Sequence, residues 1–165
     1  MQELHTNALG QLYNPGRQAG SVSPVHWHVL GAGAIGCLFA SALRRSGCPA
    51  TLLLRAGEDQ DQATIQVERE DQTTQVQLGA SPVSAPGHIG HLLVTTQAQD
   101  VHDAVLSVAH RLDASSQVLL LVNGLGFDHT LRTELAAPAY LHGSTNEGAY
   151  RLERRHIRHA GRGVT

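Results

Sequence analysis

The stretch Val29-Leu30-Gly31-Ala32-Gly33-Ala34-Ile35-Gly36 decides the fold. It closes a short apolar run and opens an amphipathic one, so a strand turns directly into a helix through three spaced glycines. Each glycine has a physical task if the turn holds the pyrophosphate of a dinucleotide. Gly31 permits the tight turn, Gly33 lets the backbone approach phosphate without a Cβ in the way, and Gly36 lets the new helix pack closely on the sheet. The first N–H groups of the helix and the positive end of its dipole then face the anion.

The flanks give the turn its context. His26-Trp27-His28-Val29-Leu30 is β-prone and short enough for a strand. After the glycines, Ile35, Leu38, Phe39, Ala42 and Leu43 recur at helical spacing and predict one buried face. Arg44 and Arg45 suit the last helical turn, Gly47 is a natural stop and Pro49 prevents continuation. Ala50-Thr51-Leu52-Leu53-Leu54 reads as a second strand buried on both faces, as in a parallel sheet. The unit is βαβ.

Arg55 follows that second strand. An acid at this place accepts hydrogen bonds from the ribose hydroxyls of NAD, whereas arginine suits the 2′-phosphate of NADP through its charge and forked donors. Glu58 and Asp59 come later, beyond Gly57. NADP is therefore favoured over NAD.

The remaining chain continues the alternation of strand and helix. Thr64–Glu68 and Thr74–Leu78 alternate apolar and polar residues and predict an antiparallel hairpin inserted between parallel strands, and residues 79–90 read as a Pro, Gly and Ser-rich loop. A buried strand is expected over His91–Thr96 and a helix from about Asp100 to Arg111, with Val101, Ala104, Val105 and Val108 inward. Val118–Val122 is the most apolar strand, ending in Asn123-Gly124-Leu125-Gly126. Leu131 and Leu135 predict a short helix, Tyr140–His142 a further strand, and Gly143–Asn146 a polar loop at the same edge. Alternation returns from Tyr150 to His159. The expected fold class is α/β: a Rossmann-like, doubly wound, mostly parallel sheet with a β-hairpin insertion. In such sheets ligands bind at the carboxyl edge.

Composition narrows the classes. The chain has 165 residues, 41% of them hydrophobic, and a formal net charge of −2, which suits one domain with a real core and gives no reason to expect nucleic acid. No apolar run approaches the ~20 residues needed to span a membrane. Residues 1–23 are polar, with Gly10, Pro15, Gly16 and Gly20, and are read as a flexible extension without a leader's apolar core; residues 24–165 are read as the nucleotide-binding domain. Cys37 and Cys48 flank one helix, too far apart to pair, and fit a reducing cytoplasm. The eleven histidines lack the helical i, i+4 spacing with a carboxylate that zinc enzymes use, so no metal is expected. All twelve basic residues are arginines; the chain contains no lysine.

Several of these segments together resemble the ketopantoate reductase (2-dehydropantoate 2-reductase) family from about Trp27 onward. They are Leu92-Leu93-Val94-Thr95 with Gln97-Ala98, Val101-His102-Asp103-Ala104-Val105, the Asn123–Gly126 turn, and Gly143-Ser144-Thr145 followed by Ala149. The resemblance implies a domain that binds NADPH for reduction of a 2-oxo acid, ketopantoate to pantoate, in the route to pantothenate and coenzyme A. By position it implies that Gly31, Ala32, Gly33, Ala34, Ile35 and Gly36 cradle the pyrophosphate and that Arg55 holds the 2′-phosphate. Asn123 would contact the nicotinamide side and the substrate, and Ala149 would line the cofactor site. Two departures stand out. Gln97 replaces the family's usual lysine, keeping a donor and losing a charge. The family's catalytic lysine belongs to a helical C-terminal domain, absent from these 165 residues, so binding without turnover is expected, together with self-association through the face made for that partner. The alternatives are a reductase of another 2-oxo acid and a non-catalytic NADP-binding module.

Overall fold

The computed structural model describes residues 5–6, 12–13, 24–55, 61–70, 72–123 and 129–161. A two-residue antiparallel pairing joins β1 (His5–Thr6) to β2 (Leu12–Tyr13); the rest of the expected extension lies outside the described residues. The body of the molecule is one sheet of β3 (Trp27–Leu30), β4 (Ala50–Leu54), β5 (Gln62–Arg69), β6 (Gln72–Pro82), β7 (His91–Val94), β8 (Gln117–Leu121), β9 (Ala139–Gly143), β10 (Gly148–Glu153) and β11 (His156–Gly161). The spatial order is β10-β11-β5-β6-β4-β3-β7-β8-β9. The five strands β4, β3, β7, β8 and β9 run parallel, joined by the helices α1 (Ala34–Arg45), α2 (Val101–Ser107) and α3 (His129–Glu134). This is the Rossmann-like, mostly parallel arrangement that the glycine turn and the buried apolar runs predict. None of the described helices is long and apolar enough to cross a membrane.

Strand pleating explains how these short sequences build two cores. Successive residues point to opposite faces of a sheet. Val29, Leu52, Leu54, Leu93 and Leu121 therefore join the cluster around α1, whereas Leu30, Leu53, Leu92, Val94 and Leu120 join the one around α2 and α3. A strand that must satisfy both sides has no polar positions, which is why these segments read as continuous apolar runs. Helix α1 ends as its sequence dictates. Gly47 takes φ of +84°, and the N–H groups of Ser46, Gly47 and Cys48 close onto Ala42, Arg44 and Leu43 carbonyls.

The structure corrects the sequence reading at three places. The expected loop over 79–90 begins as strand: residues 79–82 extend β6 and pair parallel with Thr51–Leu54 of β4. Gly79 is there because it faces Thr51, whose Oγ1 would lie 3.0 Å from an added Cβ. The hairpin is thus no appendage; its second strand is a member of the sheet. The helix expected over Asp100–Arg111 is three pieces, with 3₁₀ turns at Ala98–Asp100 and Ala109–Arg111 on either side of α2. The Ser107 hydroxyl donates to the Ala104 carbonyl at 2.6 Å, a local bond that competes with helix continuation. The buried surface of α1 is also wider than the apolar stripe. Cys37 and Ala40 are fully buried with Gly36 and Ser41, while Ala42 is exposed. The tail supplies the reason: β10 and β11 form a hairpin that packs on α1, and β11 pairs parallel with β5.

Both cysteines are free. Burial pushes the Cys37 thiol up to about 11, so it is a neutral packed group. At the amino end of the sheet, burial followed by the neighbouring His26, Arg111 and His88 pushes the His28 imidazole down to about 4. The unfolded chain binds a proton there near pH 6.5 and the folded one does not until about pH 4. Stability contributed by neutral His28 is present above pH 6.5 and is lost as pH falls from 6.5 toward 4. His102, raised by hydrogen bonds to Asp103 and Glu134, acts in the opposite direction. Urea unfolding at pH 7 and pH 5 should therefore show a smaller loss on acidification in His28→Gln than in the wild type. Equal losses would remove His28 as the cause.

Candidate nucleotide-binding site

Register places the candidate residues on one edge. Leu30 of β3 lies opposite Leu53 of β4 and Val94 of β7, Val94 opposite Leu120, and Leu121 opposite Gly143. The residues that leave these strands are Gly31, Arg55, Thr95 to Gln97, Asn123 and Ser144, and all emerge at the carboxyl edge. From β3 the sheet continues one way to β4 and the other way to β7, so the glycine turn stands at the switch point where such folds bind ligands. Arg55 is one strand from the turn and Asn123 two strands away on the other side, at about 4.8 Å per strand.

The glycine turn has the geometry an anion needs. Gly31 has φ of +109°, a conformation L side chains avoid. An added Cβ at Gly36 would lie 1.8 Å from the Gly31 carbonyl oxygen and 2.6 Å from Thr95 Oγ1, so the helix approaches the turn as closely as two backbones allow. Gly33 is the opposite case: among the described residues, no atom beyond its chain neighbours lies within 4 Å of its would-be Cβ. That open space sits at the N-cap of α1, where no side chain caps the helix and no acid occupies the first turn. The free N–H groups there have no competing anion among the described helix residues, and the residues present fit a pyrophosphate.

Around the turn, Arg55 is exposed at the end of β4 and makes no hydrogen bond or ion pair with the described residues. Gln97 is exposed at the start of the 3₁₀ turn, where its carbonyl Oε1 accepts from Gln99 Nε2. Asn123 is exposed just past β8; residues 124–128 lie outside the described residues, and so does most of the turn expected there. Ala149 arrives from a different direction. It sits in β10, at the far margin of the sheet order, and packs half-buried on the cluster that Ala32, Ala34 and Ile35 also cover. The site residues from the parallel strands are thus brought to one edge, while Ala149 packs with β10 on the α1 side of the sheet.

Two residues that the sequence gives only as the end of the expected His91–Thr96 strand, and that lie just past β7, stand at this edge. Thr95 donates its hydroxyl to the Gly31 carbonyl at 2.9 Å, and Thr96 Oγ1 is buried at the same edge with no hydrogen-bond partner among the described residues. Their signal was available: two consecutive threonines end an otherwise apolar strand at the edge that binds ligands. Among the described residues, no three or more His, Cys, Asp or Glu side chains are grouped to hold a metal.

A family model described as ketopantoate reductase PanE/ApbA matches residues 27–165. The chain belongs to the ketopantoate reductase family. A PanE/ApbA family ketopantoate reductase from Ralstonia eutropha is 27% identical, with a TM-score of 0.69 over 84% of this chain and 47% of that one. A probable 2-dehydropantoate 2-reductase from Bacillus subtilis is 21% identical, with a TM-score of 0.71 over 83% of this chain and 47% of its own. D-mandelate dehydrogenase, solved with NADH and anilino(oxo)acetate, shares the fold at a TM-score of 0.74 and 17% identity, covering 84% of this chain and 46% of that one. The chain thus spans just under half the length of these solved proteins and corresponds to the family's N-terminal domain.

Proposed function

We propose that this chain is the NADPH-binding half of a 2-dehydropantoate 2-reductase. The observation that carries the reading is the uncapped N-terminus of α1 above the open Gly33, with Arg55 one strand away. Gly31 to Gly36 hold the pyrophosphate through backbone N–H groups and the helix dipole. Arg55 pairs with the 2′-phosphate, Gln97 donates a hydrogen bond nearby, and Ala149 closes the apolar side. Asn123 offers both donors and an acceptor at the strand end nearest the nicotinamide and the substrate carbonyl. Bound NADPH supplies the hydride for carbonyl reduction.

Reduction of a 2-oxo acid also needs a proton for the alkoxide that forms. With no lysine in these 165 residues, this reading takes the general acid from a helical segment outside them. The test is NADPH oxidation by this chain with ketopantoate and a panel of other 2-oxo acids. Binding without turnover is expected; ketopantoate-dependent oxidation at an ordinary enzymatic rate would overturn the need for an outside acid.

A second reading has its own support. D-mandelate dehydrogenase, solved with anilino(oxo)acetate, shares the fold, and a shared fold does not fix the substrate, so another 2-oxo acid is a fitting one. The same panel, run on a protein that includes the helical segment, separates the two by which acid gives the largest kcat/KM.

A further inference from the structure

We propose that Thr95 is a positioning residue of the nucleotide site: its hydroxyl fixes the glycine turn in the shape that presents Gly33 and the α1 N-terminus to the pyrophosphate. The inference builds on the nucleotide-binding reading above.

The turn leaves β3 with little to hold it. Gly31 lies outside the strand ladder, in a backbone region where glycine is freest, so left alone this peptide samples many orientations. Three contacts from β7 remove that freedom. The Thr95 N–H donates to the Leu30 carbonyl at 2.9 Å and extends the parallel ladder by one residue. The Thr95 hydroxyl donates to the Gly31 carbonyl at 2.9 Å, with the Leu30 carbonyl a longer second acceptor at 3.3 Å. The Thr95 backbone and hydroxyl also lie 2.9–3.0 Å from where a Cβ on Gly31 would sit. From the other side, Gly36 of α1 closes on the same Gly31 oxygen. That carbonyl is therefore clamped between a helix glycine and a threonine hydroxyl.

The residue type fits the task. Threonine is β-branched, so its χ1 is stiff and its hydroxyl keeps one direction. Valine has the same shape without the donor, and a methyl at the hydroxyl's distance from Gly31 O would be repelled where the hydroxyl is attracted. Serine keeps the donor and loses only the methyl. The side chain faces the turn and not the open space at Gly33, so Thr95 acts through Gly31 and not by touching the nucleotide.

Titration of NADPH into the wild-type chain, Thr95→Val and Thr95→Ser, with the Tm of each, tests this. Thr95→Val should weaken NADPH binding roughly tenfold, the size expected from losing one hydrogen bond at a turn. Thr95→Ser should bind within about twofold of wild type, by the same reckoning. A merely structural threonine would lower the Tm of both variants and leave the dissociation constant unchanged, which would overturn the inference. If Thr95→Val does not fold, Thr95→Ala takes its place: a roughly tenfold loss beside near wild-type affinity in Thr95→Ser supports the hydroxyl, and equal affinity in the two variants contradicts it. Wild-type protein that binds neither NADPH nor NADH would instead remove the nucleotide reading, a separate outcome from equal binding by wild type and Thr95→Val.

Discussion

Gly36→Ala is expected to abolish measurable nucleotide binding and to lower the stability of the domain. The new methyl carbon would sit 1.8 Å from the Gly31 oxygen, and that oxygen is backbone, so no side chain can rotate away to admit it. Relief requires α1 to lift from the sheet or the 31–32 peptide to flip. Overpacking a well-packed core costs about 1–3 kcal/mol and more when backbone must move. For a domain of this size each kcal/mol lowers Tm by about 2–4 °C, so at the upper cost of about 3 kcal/mol a fall of roughly 6–12 °C is expected. Either relaxation also misaims the N–H groups at Gly33, so NADPH affinity should fall by more than about a hundredfold. Thermal unfolding and an NADPH titration check both parts. A Gly36→Ala protein with wild-type Tm and affinity would show that the close approach is not required.

Arg55→Ala has the second large effect, and its value lies in being selective. Its exposed guanidinium stands one strand from the turn, where the adenine ribose is expected under the proposed reading. Hydrogen bonds between charged partners are worth about 1.5–3 kcal/mol, which corresponds to roughly tenfold to a hundredfold in affinity. NADPH binding should weaken by that factor while NADH binding is unchanged, because NADH lacks the 2′-phosphate. Screening supplies a control: raising the salt concentration should erode wild-type NADPH affinity and leave the variant nearly insensitive. Equal weakening for both nucleotides would assign Arg55 a structural role instead.

How much of this was legible in the sequence follows from which interactions are local. The βαβ unit was readable because its signals lie side by side: apolar runs too short for helices, glycines at fixed spacing, and a helix ending at Arg45 before Gly47. The carboxyl edge was readable for the same reason, since parallel strands bring Gly31, Arg55 and Asn123 to one side whatever lies between them. Pairings between distant segments were hidden. Nothing in His156-Ile157-Arg158 names Gln66-Val67-Glu68 as its partner, yet they lie side by side and Glu68 accepts from His156 and Arg158. The strand character of residues 79–82 was masked by Gly, Ser and Pro; at Gly79 the Thr51 hydroxyl lies 3.0 Å from where a Cβ would sit, a tight fit. The burial of Ala40 and Ser41 on α1 was missed because they carry little hydrophobic signal, although smallness is what lets the helix sit close.

The site divides in the same way. The glycines and Arg55 announce themselves by type and spacing. Thr95 does not, because its meaning depends on the carbonyl of a residue 64 positions earlier.

The central claim is that this carboxyl edge binds a phosphorylated nicotinamide dinucleotide. Fluorescence titration of the wild-type chain with NADPH and with NADH under identical salt tests it most directly. The account predicts saturable binding of NADPH that is at least about tenfold tighter than that of NADH. Equal affinities would contradict the role given to Arg55, and no binding of either nucleotide would contradict the site itself.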